Sequence, residues 1–195
     1  MPLARLGHTL GMRLFVAIWV PQEVLEGLPL ALLQENLTRQ GVRFTKPEKI
    51  HLTLRYIGLV DSAEPVASAL SEALTGMPPV ELTTAALGAF PHLERPKVIW
   101  AGVQGALDVL RARVIEATDD FAEKEAEEHV PHLTLARVSP PSSKVGRALA
   151  PLVQQTADEL FGRWTANEVL LVETNGDGSY SIVAEFPLVA EEVSG

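Results

Sequence analysis

The tetrapeptide His-Leu-Thr-Leu occurs twice in this chain, at residues 51–54 and again at residues 132–135. The two copies account for two of the five histidines in the sequence. Side chains alternate across a β-strand, so in each copy the His and the Thr share one face and the two leucines share the other. The leucines predict a buried face. Each copy then directs an imidazole and a hydroxyl, about 7 Å apart along the strand, into a cleft.

The sequence around the two copies predicts a duplicated arrangement of helix, strand, helix, strand and strand. Helices are predicted over 21–38, 62–76, 105–128 and 142–157, with 105–128 the longest and Pro151 a kink or break in the last. Strands are predicted over 13–20, 46–58 after an initial turn, 80–90, 97–103, 130–138, 164–174 and 179–188.

Each half of the chain carries one His-Leu-Thr-Leu copy, so the duplication predicts two similar lobes that face each other. The sequence Asn-Gly-Asp-Gly at 175–178 predicts a hairpin between the last two strands. Hairpin-connected strands favour an antiparallel α+β arrangement over a doubly wound parallel sheet. The fold class predicted is therefore α+β, with two pseudo-symmetric lobes of antiparallel sheet and outer helices flanking a central cleft.

The composition is that of a globular chain, with 195 residues, 47% hydrophobic and 21% charged. The absence of cysteine excludes disulfides, thiolate nucleophiles and cysteine-ligated metal sites. No uncharged apolar run reaches the roughly 18 residues of a membrane span. The apolar run 14–20 is interpreted as a buried strand rather than a signal peptide, so we expect a cytoplasmic protein with no membrane partner.

The net charge of −9 argues against non-specific binding to duplex nucleic acid, which requires a basic surface. The charge balance reverses locally between residues 39 and 55, where Glu48 is the only acid. The cations of this stretch are Arg39, Arg43, Lys46, Lys49 and Arg55. A small anionic ligand near the first copy is therefore compatible with the overall charge. The acidic segment 119–129 is predicted to be a solvated helix face.

Two imidazoles flanking two hydroxyls suit in-line displacement at phosphorus. One histidine takes a proton from the attacking group and the other gives a proton to the leaving group, and both titrate near neutral pH. Threonine hydroxyls and an arginine fork can hold the non-bridging oxygens. The candidate catalytic residues are His51, Thr53, His132 and Thr134.

An arginine follows each copy, and the alternation of side chains along a regular strand places the two arginines on different faces. Arg55 falls on the same face as His51 and Thr53. Arg137 falls on the leucine face of a regular strand, and it reaches the cleft only if the strand ends or bulges near Ala136.

Other uses of these residues compete with the paired site. A single His-x-Thr in a strand is more often structural, but two identical copies favour function. Two histidines alone are one ligand short of a zinc site, so no metal is predicted. No Gly-x-Ser-x-Gly or Walker A motif is present. The remaining histidines, His8, His92 and His129, are predicted to lie on the surface.

Aromatic residues near the first copy could stack on a base, but packing is the preferred interpretation. Phe44 and Tyr56 flank the first copy and are predicted to pack. The three tryptophans, Trp19, Trp100 and Trp164, are predicted to belong to the core.

With these residues in view, the chain resembles the 2H phosphoesterase superfamily, which is named for two His-x-[Ser/Thr]-hydrophobic motifs. More closely, it resembles the bacterial and archaeal RNA 2′,3′-cyclic phosphodiesterases, also called 2′-5′ RNA ligases. The resemblance extends from about Met12 to the C-terminus. The matching segments are 13–18, 46–58, 95–103, 130–137 and the closing strands near 179–188.

The resemblance implies a bilobal domain over residues 12–195 and hydrolysis of RNA 2′,3′-cyclic phosphate ends to 2′-phosphates without metal, ATP or other cofactor. Weak, ATP-independent 2′-5′ ligation is also implied. His51 and His132 carry over as the acid–base pair, Thr53 and Thr134 as phosphate-holding hydroxyls, and Arg137 as a phosphate contact. Residues 1–11 have no counterpart and are expected to be a flexible extension. We expect a monomer.

Several alternatives stay open at this point. The working hypothesis has His132 as general base and His51 as general acid, but the sequence does not decide between the two assignments. The chain could instead be a non-catalytic module that binds phosphorylated RNA ends. It could also open small cyclic nucleotide phosphates or cleave 2′-5′ linkages.

Overall fold

The computed structural model describes residues 11–38, 41–123 and 130–190. Within these residues the strands are β1 (Met12–Trp19), β2 (Val42–Phe44), β3 (His51–Val60), β4 (Val80–Phe90), β5 (Val98–Gly105), β6 (His132–Val138), β7 (Leu160–Ala166), β8 (Glu168–Thr174) and β9 (Tyr180–Pro187). The helices are α1 (Gln22–Gly27), α2 (Leu30–Leu37), α3 (Glu64–Leu74), α4 (Leu107–Thr118) and α5 (Ser143–Gln155). Short 3-10 turns lie at Pro47–Lys49 and Asp119–Phe121. The predicted extension lies outside the described residues, apart from Gly11.

The strands form one continuous antiparallel sheet in the order β7-β4-β5-β6-β3-β1-β8-β9, with β2 paired to the edge of β6. The sheet is narrowest where the two His-Leu-Thr-Leu strands meet, because β3 and β6 pair only at Leu52 and Leu133. This one contact divides the sheet into lobe 1 (β3, β1, β8, β9) and lobe 2 (β6, β5, β4, β7, with β2).

The contact between β3 and β6 joins the same position of both copies in an antiparallel sense. An approximate twofold axis therefore passes through this pair and relates one copy to the other. Helices α3 and α4 pack on lobe 1, whereas α1, α2 and α5 pack on lobe 2. The predicted α+β class, with two pseudo-symmetric antiparallel lobes and outer helices, is confirmed.

The duplication had suggested that each half of the sequence forms one lobe, but the lobes do not correspond to the two halves. The chain runs from β1 in lobe 1 to α1, α2 and β2 on lobe 2, and returns to lobe 1 for β3 and α3. It then alternates again, with β4 and β5 in lobe 2, α4 on lobe 1, β6 to β7 in lobe 2, and β8 and β9 in lobe 1. Each lobe is thus built from both halves.

The leucines of both copies form the centre of the core. Leu52, Leu54, Leu133 and Leu135 are all at most 1% exposed. Burying a leucine side chain contributes about 1.5–3 kcal/mol, so the alternation predicted from the sequence has a large energetic basis. The same alternation leaves the His and Thr of each copy only partly buried, on the opposite face.

Three predicted elements are divided differently in the structure. The helix predicted over 21–38 is two helices, separated at Leu28 and Pro29. The strand predicted over 164–174 is interrupted at Asn167, where the chain leaves lobe 2 for lobe 1. Helix α4 ends at Thr118, because the chain turns to pair with lobe 1 and the Glu123 amide donates to the Ile57 carbonyl.

Helix α5, with 13 residues, is therefore the longest helix of the described residues, and residues 124–128 of the predicted long helix lie outside them. Pro151 lies inside α5, which is continuous from Ser143 to Gln155, so the break that the sequence had suggested is absent. Both Pro151 and Arg147, whose carbonyl loses its helical partner, are exposed, so water can satisfy that carbonyl. None of the described helices has the length and apolarity to cross a membrane.

Candidate active site

A cleft of about 240 Å³ lies where the two lobes meet. Its lining includes every candidate residue predicted from the sequence: His51, Thr53, His132, Thr134 and Arg137. The other lining residues are Phe15, Thr45, Lys49, Tyr56, Thr174 and Tyr180. The structure thus brings both copies of the motif together in one cavity, although their catalytic roles stay predictions.

Arg137 reaches the cleft because strand β6 contains a bulge. Neighbouring residues of β5 pair with Thr134 and Ala136, so Leu135 is an extra residue in the register. Beyond the bulge the parity of the strand is reversed. Ala136 is buried and Arg137 shares the cleft face with Thr134. This is the irregularity near Ala136 that the sequence analysis required for Arg137 to face the cleft.

Strand β3 carries the matching bulge, and it removes Arg55 from the predicted face. Neighbouring residues of β1 pair with Thr53 and Arg55, so Leu54 is the extra residue. Arg55 is only 6% exposed, and its Nη2 donates to Asp119 Oδ1 at 3.1 Å behind the strand. The prediction that Arg55 shares the His51 face is wrong. Tyr56 occupies the cleft position that corresponds by symmetry to Arg137.

Both histidines are held by the same local hydrogen bond. His51 Nδ1 donates to the Lys49 carbonyl at 2.7 Å, and His132 Nδ1 donates to the Val130 carbonyl at 2.7 Å. A carbonyl oxygen can only accept, so Nδ1 carries the proton in each neutral ring. Proton exchange with a ligand in the cleft must therefore occur at Nε2 of both rings.

Aromatic rings fix the orientation of His51. The imidazole is stacked between Phe15 and Trp19, with centroid separations of 4.9 Å and 5.2 Å. Tyr180 meets it edge-on at 5.5 Å. These contacts restrain the plane of the ring, while the carbonyl bond restrains its rotation. The result is an imidazole whose Nε2 has a fixed direction.

His132 has a sparser frame, formed by Phe90 edge-on at 4.9 Å and Trp100 at 6.2 Å. The prediction that all three tryptophans belong to the core is correct for Trp164, which is buried, and for Trp19, which packs against the buried cluster of Phe15, Ala17, Leu170 and Val172. Trp19 and Trp100 are partly exposed and contact the two histidines. Phe44 packs against the core as predicted, whereas Tyr56 does not, since it is 45% exposed in the cleft.

The environment lowers the pKa of both histidines below 6.5. For His51 the largest cause is burial, which disfavours the charged ring, followed by the positive charges of His132 and Arg137. For His132 the causes are burial and then Arg137. The bonds to the Lys49 and Val130 carbonyls oppose these effects by favouring the protonated ring.

The fixed charges that line the cleft are all positive. Arg137 and Lys49 are the charged residues of the lining, and no carboxylate is among the described residues that form it. The chain as a whole has a net charge of −9, so the cleft is a local reversal of sign. Such a cavity favours an anion with oxygens at hydrogen-bond distance from hydroxyl, imidazole and guanidinium donors.

Six lining residues were not predicted as site residues, and of these Lys49 and Tyr56 bear most directly on the binding of an anion. Lys49 belongs to the basic stretch between residues 39 and 55, but nothing in the sequence distinguished it from Lys46. Tyr56 was predicted to pack rather than to contact a ligand. The only signal for it was the comparison of the two copies, because Tyr56 stands five residues after the first histidine, as Arg137 does after the second.

Within the described ranges no three His, Cys, Asp or Glu side chains converge on a position that could hold a metal ion. Of the remaining histidines, His92 is exposed and its Nδ1 lies 3.1 Å from Glu94 Oε2, as expected for a surface residue. His8 and His129 lie outside the described residues. Independence from metal stays a prediction that requires a test in solution.

Comparisons of sequence and of structure with known proteins each cover most of the chain. Residues 35–178 match the model of the 2′-5′ RNA ligase superfamily. The RNA 2′,3′-cyclic phosphodiesterase of Methanocaldococcus jannaschii is 28% identical over 90% of this chain and 100% of its own length. That of Aeropyrum pernix is 32% identical over 74% of this chain and 85% of its own. The crystal structure of TT0787 from Thermus thermophilus superposes with a TM-score of 0.67, at 27% identity, over 93% of this chain and 100% of that one.

Proposed function

This chain belongs to the 2′-5′ RNA ligase superfamily, and from that premise we propose that it hydrolyses RNA 2′,3′-cyclic phosphate ends to 2′-phosphates. The observation that carries the proposal is the cleft itself, in which two symmetry-related imidazoles, two threonines and an arginine meet. The relatives named above, which are RNA 2′,3′-cyclic phosphodiesterases, support the same reaction. Weak, ATP-independent 2′-5′ ligation is proposed as the same displacement, in which the 5′-hydroxyl of a second RNA attacks the phosphorus in place of water and the 3′-oxygen departs.

In this proposal the cyclic phosphate lies between the two histidines. Thr53, Thr134 and Arg137 donate hydrogen bonds to its non-bridging oxygens. Negative charge builds on those oxygens as the phosphorus becomes five-coordinate. Donors that are already in position stabilise this charge without reorganising, which is the largest single contribution in many enzymes.

The shape of the cleft supports an assignment of the acid and the base. Lobe 1 supplies more of the lining, including Phe15, Tyr56 and Tyr180, so we place the ribose on the His51 side. His132 then removes a proton from water, whose oxygen bonds to phosphorus. The bond from phosphorus to the 3′-oxygen breaks, and His51 gives its proton to that oxygen. One proton is taken and one is given, so the reaction balances.

The experiment that tests the proposal is incubation of the purified protein with a short RNA ending in a 2′,3′-cyclic phosphate, in the presence of EDTA. We expect loss of the cyclic end with a 2′-phosphate as product. A 3′-phosphate product, or an intact cyclic end, would contradict the proposal. Binding without turnover would instead indicate a module for phosphorylated RNA ends, and dependence on added metal would contradict the metal-free mechanism.

We also propose that the protein acts as a monomer on its RNA. All the groups named in the mechanism come from one chain, so the cleft is complete without a second copy. Light scattering coupled to size-exclusion chromatography would test this, and activity that rises with the square of protein concentration would contradict it. A cytoplasmic location is part of the same proposal, and fractionation of cells would test it.

The pH dependence follows from the direction of the two pKa shifts. The reaction needs one protonated and one neutral imidazole. Burial lowers both pKa values, so this state is most populated below pH 6.5 and is lost as both rings become neutral. We therefore expect kcat/KM to follow a bell with its maximum below pH 6.5. A maximum on the alkaline side of neutrality would contradict the paired-histidine mechanism.

Tyr56 is expected to contribute a hydrogen bond from the cleft position opposite Arg137. Arg13 Nη1 donates to the phenolic oxygen at 2.8 Å, which leaves the phenolic proton to be donated elsewhere. We expect Tyr56→Phe to lower kcat/KM by about five- to tenfold, the effect of one hydrogen bond of about 1 kcal/mol. The thermal unfolding midpoint should change little, because the ring is retained and the bond lost from Arg13 is exposed to solvent. Unchanged kcat/KM would mean that the hydroxyl does not contact the substrate.

A further inference from the structure

Lys49 is the second cation of the cleft lining, beside Arg137, for which we propose a contact with the cyclic phosphate. It ends the 3-10 turn Pro47–Lys49, two residues before His51. Its Nζ donates to the Gly178 carbonyl at 2.6 Å and lies 5.3 Å from the centroid of the Tyr180 ring. The ammonium group is thus held between the turn of the β8–β9 hairpin and an aromatic face, at the lobe 1 edge of the cleft.

This arrangement positions the charge of Lys49 without neutralising it. An ammonium has three donors, and the Gly178 carbonyl takes one. Among the described residues no carboxylate forms a salt bridge with Lys49. Asp177 in the hairpin turn accepts from Ser179 at Oδ1, and these bonds, ahead of the smaller effect of the Lys49 charge, lower the pKa of its carboxyl. The remaining donors can therefore bind an anionic oxygen that enters the cleft.

The two cations of the cleft act at different places. Arg137 lies on β6 in lobe 2, on the cleft face that it shares with Thr134. The ammonium group of Lys49 is held in lobe 1, by the Gly178 carbonyl of the β8–β9 hairpin turn and the Tyr180 ring. Two separated positive positions in one cleft fit a ligand with two phosphate groups better than a ligand with one.

We propose that Lys49 binds the phosphate that joins the terminal nucleotide to its 5′ neighbour, so that the site selects oligonucleotide ends over cyclic mononucleotides. This inference rests on the proposed function, because it places the cyclic phosphate at Arg137. The order of groups along the RNA agrees with this position for the second phosphate. One ribose separates the two phosphates, and we place that ribose on lobe 1, which also carries Lys49. A cyclic mononucleotide has no second phosphate and gains nothing from Lys49.

The test compares two substrates in three proteins. The substrates are adenosine 2′,3′-cyclic phosphate and the dinucleotide ApA with a 2′,3′-cyclic phosphate end. The proteins are the wild type, Lys49→Gln, and Lys46→Gln as matched control, because Lys46 is exposed, outside the cleft lining and three residues away. Lys49→Gln keeps the backbone carbonyl that holds His51, so the acid–base geometry is retained.

We expect Lys49→Gln to lower kcat/KM for the dinucleotide by about five- to tenfold, through KM, and to change the mononucleotide by less than about twofold. Lys46→Gln should change neither value, and Lys49→Arg should restore part of the preference. An equal loss on both substrates would overturn the inference, because the side chain would then be acting on His51. An unchanged dinucleotide value would overturn it as well.

Failure of the proposed function is distinguishable from failure of this inference. If the wild-type protein turned over neither substrate, the function would be wrong, but the binding question could still be answered. Equilibrium titration with ApA carrying a 3′-phosphate and with adenosine 3′-phosphate would then decide it. A dinucleotide preference that Lys49→Gln removes supports the second phosphate position, and equal affinities in both proteins reject it.

Discussion

His51→Ala and His132→Ala should each lower kcat for an RNA 2′,3′-cyclic phosphate end by about 10²–10⁴-fold, the usual contribution of a positioned acid or base. The loss should appear in kcat rather than in KM, because both rings act on protons that move only in the transition state. Single-turnover measurement with saturating enzyme isolates this step. The exposed His92→Ala variant is the matched control and should retain wild-type activity.

The two histidine variants should differ when the leaving group no longer needs a proton. With bis(p-nitrophenyl) phosphate, whose nitrophenolate departs readily, we expect His51→Ala to lose far less activity than it loses on RNA, because His51 is the proposed acid. His132→Ala should stay impaired, because water still has to be deprotonated. The reverse pattern would exchange the two roles.

The double variant His51→Ala/His132→Ala should be little worse than either single variant, since the two rings act as one unit. Losses that multiplied would mean that the histidines contribute independently. Activity near the wild-type level in either single variant would falsify the paired-histidine mechanism altogether.

Arg137→Met should lower kcat/KM by about 10²–10³-fold, comparable to the loss of one pre-positioned donor at a developing negative charge. Arg137→Lys should recover only part of this, because an ammonium cannot bind two phosphate oxygens in the fork that a guanidinium offers. Steady-state kinetics on the cyclic-ended RNA measures both variants. Arg147→Met, on the outer helix α5 and exposed, should have no effect.

Removal of Arg137 should also move the pH profile in a defined direction. Its positive charge lowers the pKa of both histidines, so in Arg137→Met both pKa values should rise. The residual activity should then have its maximum at a higher pH than the wild type, and histidine ring signals in NMR titrations should shift the same way. A large kcat/KM loss with unmoved histidine pKa values would place Arg137 away from the phosphate.

The face on which each His and Thr lies was predictable from the sequence because it depends on a two-residue period. In both copies the buried leucines at alternate positions force His and Thr onto the other face, and no long-range information is needed. The residues after Thr were not predictable in this way. The extra residues, Leu54 and Leu135, are defined by the register of β1 and β5, which lie far away in sequence.

The assignment of elements to lobes was also beyond the sequence pattern. Alternating and helical periods identify strands and helices, but they do not state which sheet a strand joins. Residues 164–174 illustrate this, because one apolar stretch contains two strands that belong to different lobes on either side of Asn167. The roles of Trp19 and Trp100 were missed for the same reason, since an aromatic that packs on a histidine has the same sequence signature as one in the core.

The alternation of the chain between the lobes has a consequence for folding cooperativity. Cleaving the polypeptide between the two copies of the motif would leave no fragment with a complete lobe, because β8 and β9 belong with β1 and β3. The buried residues of both lobes also form one apolar cluster, so the unfolding of one lobe would expose apolar side chains of the other. The protein should consequently have no stable half-folded form, and the pairing of the two histidines is established in the same step as the fold.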